Sequence, residues 1–155
     1  MVLTKGDKAP SFTLRNTETK EISLSDYSGK KLLLLFFPLA FTSVCTEELC
    51  TIRDDAKFYK DLDVDILAIS VDSLFTLAKF KEEQKYDFPL LSDFNKDVCR
   101  SYGTLYETFV LDMKGVSKRA AFIIDKNGKV RHQEILENAG ELPNFGAIKE
   151  ALAQI

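Results

Sequence analysis

The chain has 155 residues, of which 45% are hydrophobic, and a formal net charge of −3; these values predict one globular domain over residues 1–155 with a single core. Charges of both signs are interspersed, which argues against the basic surface that nucleic-acid binding requires. No stretch approaches the roughly 20 apolar residues that span a bilayer, and the first ten residues lack the apolar segment of a secretory signal, so we expect a cytoplasmic protein without a membrane partner.

The first predicted elements are a short hairpin and a buried strand. Residues 12–14 and 22–24 alternate apolar and polar side chains around a polar stretch, which is typical of a β-hairpin. Residues 32–37, LLLLFF, form an apolar run without polar alternation, which predicts a strand buried on both faces. Pro38 ends this strand, because proline has no N–H to donate to a neighbouring strand.

A helix is predicted to begin shortly after Pro38. Thr42 or Ser43 can serve as its N-cap, and residues 46–48, TEE, supply the polar and acidic groups that a first turn prefers. The apolar spacing continues as far as Tyr59, so we expect one long helix.

Strands and helices alternate in the middle of the chain. We predict a second buried strand at residues 64–71, followed by a helix that Asp72 and Ser73 cap. Residues 88–91 are predicted to form an edge strand, because Pro89 is tolerated at a sheet edge and not in a central position. This order of elements predicts an α/β fold with a mixed central sheet flanked by helices.

The last part of the chain completes this pattern. We predict a short helix within residues 93–103 and an irregular loop over residues 104–118. Residues 120–124 and 130–135 are predicted strands joined by an Asn-Gly turn, and residues 144–155 form a terminal amphipathic helix.

The three cysteines are better explained by reactivity or burial than by structural disulfides. Their number is odd, so they cannot all pair within one chain, and a reducing compartment disfavours disulfides. Cys45 falls at the start of the predicted helix, where unpartnered N–H groups stabilise a thiolate. The alternative is that Cys45 is a small apolar residue packed beneath a loop.

Pro38, Thr42 and Cys45 form the pattern P-x-x-x-T-x-x-C directly after an apolar strand. This pattern resembles the active-site signature of the peroxiredoxins, and the resemblance extends from GDKAPSFTL to the last helix. It implies a thioredoxin-like fold with an N-terminal β-hairpin. It also implies that Cys45 attacks peroxide, that the Thr42 hydroxyl binds peroxide and thiolate, and that Pro38 shields the sulfur.

The resemblance also assigns roles to two charged residues. Arg119, in KRAAFIID, matches the arginine that completes the family's pocket, where a guanidinium favours thiolate and stabilises charge developing on the peroxide. Without the resemblance, Arg119 would be a surface residue at a strand start. Glu48 matches a position where the family carries Glu or Gln facing that arginine, although the sequence alone favours a solvated acid in the first helical turn.

The spacing of Cys45 and Cys50 indicates how Cys45 would be restored after it has reacted with peroxide. C-T-E-E-L-C resembles the Q-type, or bacterioferritin-comigratory, branch, which implies that Cys50 condenses with a Cys45 sulfenic acid to give a disulfide. Thioredoxin or a similar dithiol would then reduce that disulfide. PLAFTSVC is also close to the one-cysteine E-type branch, in which an external thiol would react instead. The expected substrates are hydrogen peroxide and alkyl hydroperoxides, with no cofactor, in a monomer or weak homodimer.

Helix geometry adds a constraint on that disulfide. Cα atoms five positions apart on a helix are roughly 8 to 9 Å apart, whereas a disulfide requires them within about 7 Å. Cys45 and Cys50 therefore cannot bond until the first turns unwind.

Two other classes of function use the same residues. Cys45, Cys50, Cys99 and His132 could form a structural zinc site in an interaction module, although positions five apart on a helix do not converge. A thioredoxin-like disulfide reductase would require C-x-x-C, which is absent. Cys99 is otherwise predicted to be a buried structural thiol and His132 a half-exposed strand residue.

Overall fold

The computed structural model of the protein describes residues 3–155. Its strands are β1 (Thr13–Asn16), β2 (Glu21–Ser23), β3 (Lys31–Phe36), β4 (Val64–Ser70), β5 (Leu90–Ser92), β6 (Arg119–Ile124) and β7 (Val130–Leu136). Its α-helices are α1 (Ser43–Asp54), α2 (Ala56–Asp61), α3 (Leu74–Gln84), α4 (Asp97–Ser101) and α5 (Phe145–Ala153). Short 3₁₀ helices span Leu24–Tyr27 and Val110–Asp112.

The strands form one mixed sheet in the order β2-β1-β5-β4-β3-β6-β7. The strands β3, β4 and β5 run parallel, whereas β6 lies antiparallel to β3, and β7 antiparallel to β6. β1 and β2 form the predicted N-terminal hairpin, which joins the sheet through β5. The predicted thioredoxin-like architecture, a mixed sheet flanked by helices, is confirmed.

The central strand β3 separates the hydrophobic core into two layers, because side chains alternate between the two faces of a strand. Leu33, Leu35 and Phe37 pack on one face with apolar residues of α1, α3 and α5. Leu32, Leu34 and Phe36 pack on the other face with residues of α4 and the N-terminal segment. All six side chains are buried, as the apolar run predicts.

Three predictions about the elements were wrong. The strand at Leu90–Ser92 is not at an edge, because β1 pairs with its free side; Pro89 precedes the strand and so costs it no hydrogen bond. The long helix is divided at Asp55, where the backbone leaves helical geometry. Glu47 and Glu48 lie in the second turn of α1, since the helix begins at Ser43, and no acidic residue occupies the first turn.

In the part of the chain that the structure describes, no helix has the length and apolar character needed to cross a membrane.

Candidate active site

The pairing of β3 with β6 brings two distant parts of the chain together. Phe36, the last residue of β3, pairs with Ala120. Arg119 therefore starts β6 beside the point where the chain leaves β3 towards α1. Cys45 is the third residue of α1, so the helix N-terminus and the arginine meet at this end of the sheet.

Cys45 and Arg119 are in direct contact. The Cys45 side chain is 1% exposed, and its Sγ accepts a hydrogen bond from Arg119 Nη1 at 3.3 Å. A guanidinium remains charged, and unpartnered N–H groups at the helix start add positive potential, so Cys45 Sγ lies in an electropositive site. The interpretation of Arg119 as a surface residue was wrong, because its side chain is buried.

Arg119 is held by two further groups. Nη1 also donates to Glu48 Oε1 at 2.6 Å, and Nη2 donates to the carbonyl oxygen of Ala139 at 2.9 Å. Burial acts to lower the pKa of Arg119, but Glu48 and Cys45 raise it above its ordinary value. The contact with Ala139 could not be predicted, because any residue can supply a backbone carbonyl.

Glu48 lies in the core and not in solvent. Its side chain is fully buried, which corrects the interpretation of a solvated acid and agrees with the role that the resemblance implies. Burial raises the pKa of Glu48 to about 7, although Arg119 opposes this shift. Among residues 3–155, its Oε2 atom has no hydrogen-bond partner. The sequence did contain a signal for this position, because Glu48 lies three residues after Cys45 and therefore on the same face of the helix.

The loop between β3 and α1 carries Pro38 and Thr42. Pro38 is buried, whereas Thr42 is exposed at the N-cap position of α1. The Thr42 hydroxyl donates to the carbonyl oxygen of Leu39 at 2.7 Å and makes no capping bond to the helix. Phe41 in this loop has a φ of 67° and packs against Phe80, with ring centroids 5.0 Å apart.

Asp72 anchors this loop, a role that the sequence did not reveal. Its Oδ2 atom accepts hydrogen bonds from the Ala40 N–H at 2.8 Å and from the Ser70 hydroxyl at 2.7 Å. The predicted capping of α3 belongs to Ser73 alone, whose hydroxyl accepts from the Thr76 N–H. Asp72 thus connects the end of β4 to the loop that precedes Cys45.

Cys50 lies one and a half turns after Cys45 in an unbroken helix. It is half-buried, and its Sγ contacts Gln84 Oε1 and Tyr86 Oη, each at 3.5 Å. Cys45 and Cys50 are both free thiols. The structure therefore has the helical arrangement in which these two cysteines cannot bond.

Cys99 is confirmed as a buried thiol and lies in the opposite core layer from Cys45, across the sheet. Burial and the neighbouring Asp93 raise the pKa of Cys99 to about 12. The zinc hypothesis is therefore not supported, because the sheet separates its proposed ligands. Within residues 3–155, no group of three or more His, Cys, Asp or Glu side chains is placed to hold a metal ion.

Comparison with known proteins gives the same family by sequence and by structure. The AhpC/TSA family model matches residues 5–133. Peroxiredoxin Bcp of Escherichia coli K12 is 36% identical over 131 residues, which cover 84% of each protein. The mouse mitochondrial thioredoxin-dependent peroxide reductase is 38% identical over 144 residues, covering 88% of this chain and 52% of that protein.

Solved structures extend the similarity to almost the whole chain. Peroxidoxin BcpB from Mycobacterium tuberculosis superposes with a TM-score of 0.86 at 29% identity and covers 99% of this chain and 98% of its own. A peroxiredoxin-like protein from Aquifex aeolicus has a TM-score of 0.89 at 26% identity, covering 99% and 88%. These matches span the sheet, α1 and the strand that carries Arg119, and the chain belongs to the AhpC/TSA family of peroxiredoxins.

Proposed function

We propose that this protein is a thiol peroxidase that acts as one domain and reduces hydrogen peroxide and organic hydroperoxides through Cys45. The observation that carries the proposal is the 3.3 Å contact between Cys45 Sγ and Arg119 Nη1 at the start of α1. The names of the relatives, peroxiredoxin and thioredoxin-dependent peroxide reductase, support the same chemistry.

In the first step, the Cys45 thiolate attacks the terminal oxygen of the peroxide. An S–O bond forms as the O–O bond breaks, so the sulfur is oxidised by two electrons to a sulfenic acid. The leaving alkoxide or hydroxide takes up a proton and departs as an alcohol or water. Arg119 would stabilise negative charge on the oxygens, and the Thr42 hydroxyl, at the N-cap position three residues before Cys45, would orient the peroxide.

In the second step, the Cys50 thiolate attacks the sulfenic sulfur of Cys45. An S–S bond forms, the S–O bond breaks, and the released hydroxide is protonated to water. A dithiol protein of the thioredoxin type then restores both thiols by disulfide exchange. The similarity to Bcp supports this Q-type scheme. In the one-cysteine alternative, an external thiol attacks Cys45 in place of Cys50.

Intact-mass measurement after one addition of equimolar peroxide tests the proposal. Wild-type protein should lose two hydrogens, Cys50→Ser should gain one oxygen, and Cys45→Ser should keep its mass. Oxygen uptake by Cys45→Ser equal to that of wild type would reject Cys45 as the peroxidatic residue. Undiminished thioredoxin-linked turnover by Cys50→Ser would assign resolution to an external thiol.

A further inference from the structure

The chain at the end of α3 contacts α1 outside the pocket of Arg119. Gln84 Oε1 accepts from Cys50 Sγ at 3.5 Å, and the Gln84 carbonyl oxygen accepts from Arg53 Nη1 at 2.5 Å. The hydroxyl of Tyr86 lies 3.5 Å from Cys50 Sγ and 3.5 Å from the carbonyl oxygen of Thr46. Gln84 and Tyr86 thus contact three residues of α1, which are Thr46, Cys50 and Arg53.

These three residues lie on one stripe of α1. Thr46, Cys50 and Arg53 are four and three positions apart, which is the spacing of side chains on a single helix face. The stripe exists only while α1 is helical. Contacts along it therefore stabilise the folded helix relative to any state in which residues 42–53 have unwound.

Tyr86 is fixed by aromatic packing on its other side. Its ring stacks on Phe88 at 5.2 Å and meets Phe80 edge-on at 5.3 Å, and only 4% of the residue is exposed. Burial, with a contribution from Cys50, raises the pKa of Tyr86 above its ordinary value, so its hydroxyl remains protonated. The aromatic cluster thus holds a neutral hydroxyl against Cys50.

We propose that Gln84 and Tyr86 are positioning residues that hold Cys50 in the folded helix and so set how fast it reaches an oxidised Cys45. This proposal rests on the proposed function, because it requires Cys50 to be the resolving thiol. We call the two residues the Cys50 latch.

The latch determines which of two reactions consumes the sulfenic acid. In one, Cys50 attacks the Cys45 sulfur, giving a disulfide and water. In the other, the sulfenate attacks a second peroxide, whose O–O bond breaks to give a sulfinic acid and an alcohol or water. Only the first reaction requires α1 to unwind. A weaker latch therefore shifts the product from sulfinic acid to disulfide.

Tyr86→Phe tests the latch, because it removes the hydroxyl and keeps the packed ring. Rapid mixing with peroxide, followed by acid quench and intact-mass analysis, resolves the sulfenic, disulfide and sulfinic forms. We expect wild-type kinetics for formation of the sulfenic acid and disulfide formation about fivefold faster, the scale of one net hydrogen bond. The sulfinic fraction at high peroxide should fall. Gln84→Met, which keeps chain length without the amide, should change both quantities in the same direction.

Tyr102→Phe is the matched control. It also removes a tyrosine hydroxyl, which donates to the Pro10 carbonyl oxygen at 2.7 Å in the opposite core layer. We expect this variant to keep the wild-type partition between disulfide and sulfinic acid. Faster disulfide formation in Tyr102→Phe as well would indicate general destabilisation and overturn the latch.

The outcomes also separate the latch from the function on which it rests. Wild-type and Tyr86→Phe proteins that form the Cys45–Cys50 disulfide at equal rates would overturn the latch alone. Wild-type protein that forms no such disulfide would overturn the resolving role of Cys50 and the latch with it. In a Cys50→Ser background, Tyr86→Phe should no longer change the sulfinic fraction, because no competing disulfide can form.

Discussion

Arg119 and Glu48 form a buried ion pair, with Nη1 2.6 Å from Oε1. The same nitrogen lies 3.3 Å from Cys45 Sγ, so one guanidinium nitrogen faces two groups that can carry negative charge. Glu48 fixes the position of Arg119 and also shares this nitrogen as a hydrogen-bond donor with Cys45 Sγ. This shared donor leads to the first two predictions.

Removing the guanidinium should slow the reaction of Cys45 with peroxide. Arg119→Met alone would leave Glu48 buried without a partner, which costs about 3–5 kcal/mol of stability. The informative variant is therefore Arg119→Met combined with Glu48→Gln. We expect its second-order rate constant to fall about 100-fold or more, the effect of losing one oxyanion-stabilising donor. The measurement is stopped-flow oxidation, with Glu48→Gln alone as control. Equal rates in the double variant and in Glu48→Gln would show that Arg119 has only a structural role.

Glu48 should make the stability of the fold depend on pH. Its pKa is about 7 in the folded protein, raised mainly by burial, against 4.5 for an exposed glutamate. Between these values the folded state binds more protons than the unfolded state, so stability falls as pH rises. The unfolding free energy of wild type relative to Glu48→Gln should therefore decrease from about pH 4.5 to about pH 7 and level off above that window.

Urea denaturation of the two proteins at a series of pH values measures this difference, and the subtraction removes the contribution of the other titrating groups. A difference that stays constant, or one that rises across the window, would contradict a raised pKa for Glu48.

The sequence predicted the parts of the site that depend on local pattern. The apolar run of β3, the proline after it and the start of α1 are all encoded in neighbouring residues, so Cys45 could be placed at a helix N-terminus. The meeting of Cys45 with Arg119, 74 positions later, could be expected only from the family resemblance. It depends on the antiparallel pairing of β3 with β6, which is a tertiary contact.

Predictions failed where tertiary contacts decide the environment of a residue. An acid early in a helix is usually solvated, but the position of Arg119 brings Glu48 into the core. A proline beside a short strand usually marks a sheet edge, but here the N-terminal hairpin covers β5. The role of Asp72 was missed for the same reason, because its partner Ala40 lies 32 positions away.

Thr42 provides a test of the loop that precedes the helix. Its hydroxyl donates to Leu39, which holds the loop and leaves the oxygen lone pairs free to accept a bond from a hydroperoxide O–H. Thr42→Val, which keeps the shape, should slow oxidation of Cys45 by about tenfold, the upper range for one neutral hydrogen bond. Thr42→Ser keeps the hydroxyl and should retain most of the rate. Equal loss in both variants would point to loop packing and not to the hydroxyl.

Cys99 should not take part in the redox cycle. It lies across the sheet from Cys45, and its thiol is buried beside Asp93. Burial and Asp93 keep the Cys99 thiol protonated, so alkylation of native reduced protein should spare Cys99 and modify the half-buried Cys50. The Cys99→Ala variant should resolve the Cys45 sulfenic acid at the wild-type rate. A Cys45–Cys99 disulfide found by peptide mapping after peroxide treatment would contradict this prediction, because the two residues can meet only if the central sheet opens.

Oxidation to the Cys45–Cys50 disulfide should unwind α1. Cys45 and Cys50 belong to one continuous helix, Ser43–Asp54, in which Cα atoms five positions apart are too distant for a disulfide. In the proposed mechanism, peroxide attack requires the folded helix, at whose start Arg119 contacts Cys45, whereas resolution requires the same segment to open. Amide hydrogen exchange should therefore become faster across residues 42–53 in the disulfide form than in the reduced form. The strand β4, which pairs on both sides, should stay protected and serves as the internal reference. Equal protection of residues 42–53 in the two forms would exclude the Cys45–Cys50 disulfide, because no bond between these residues is compatible with an intact α1.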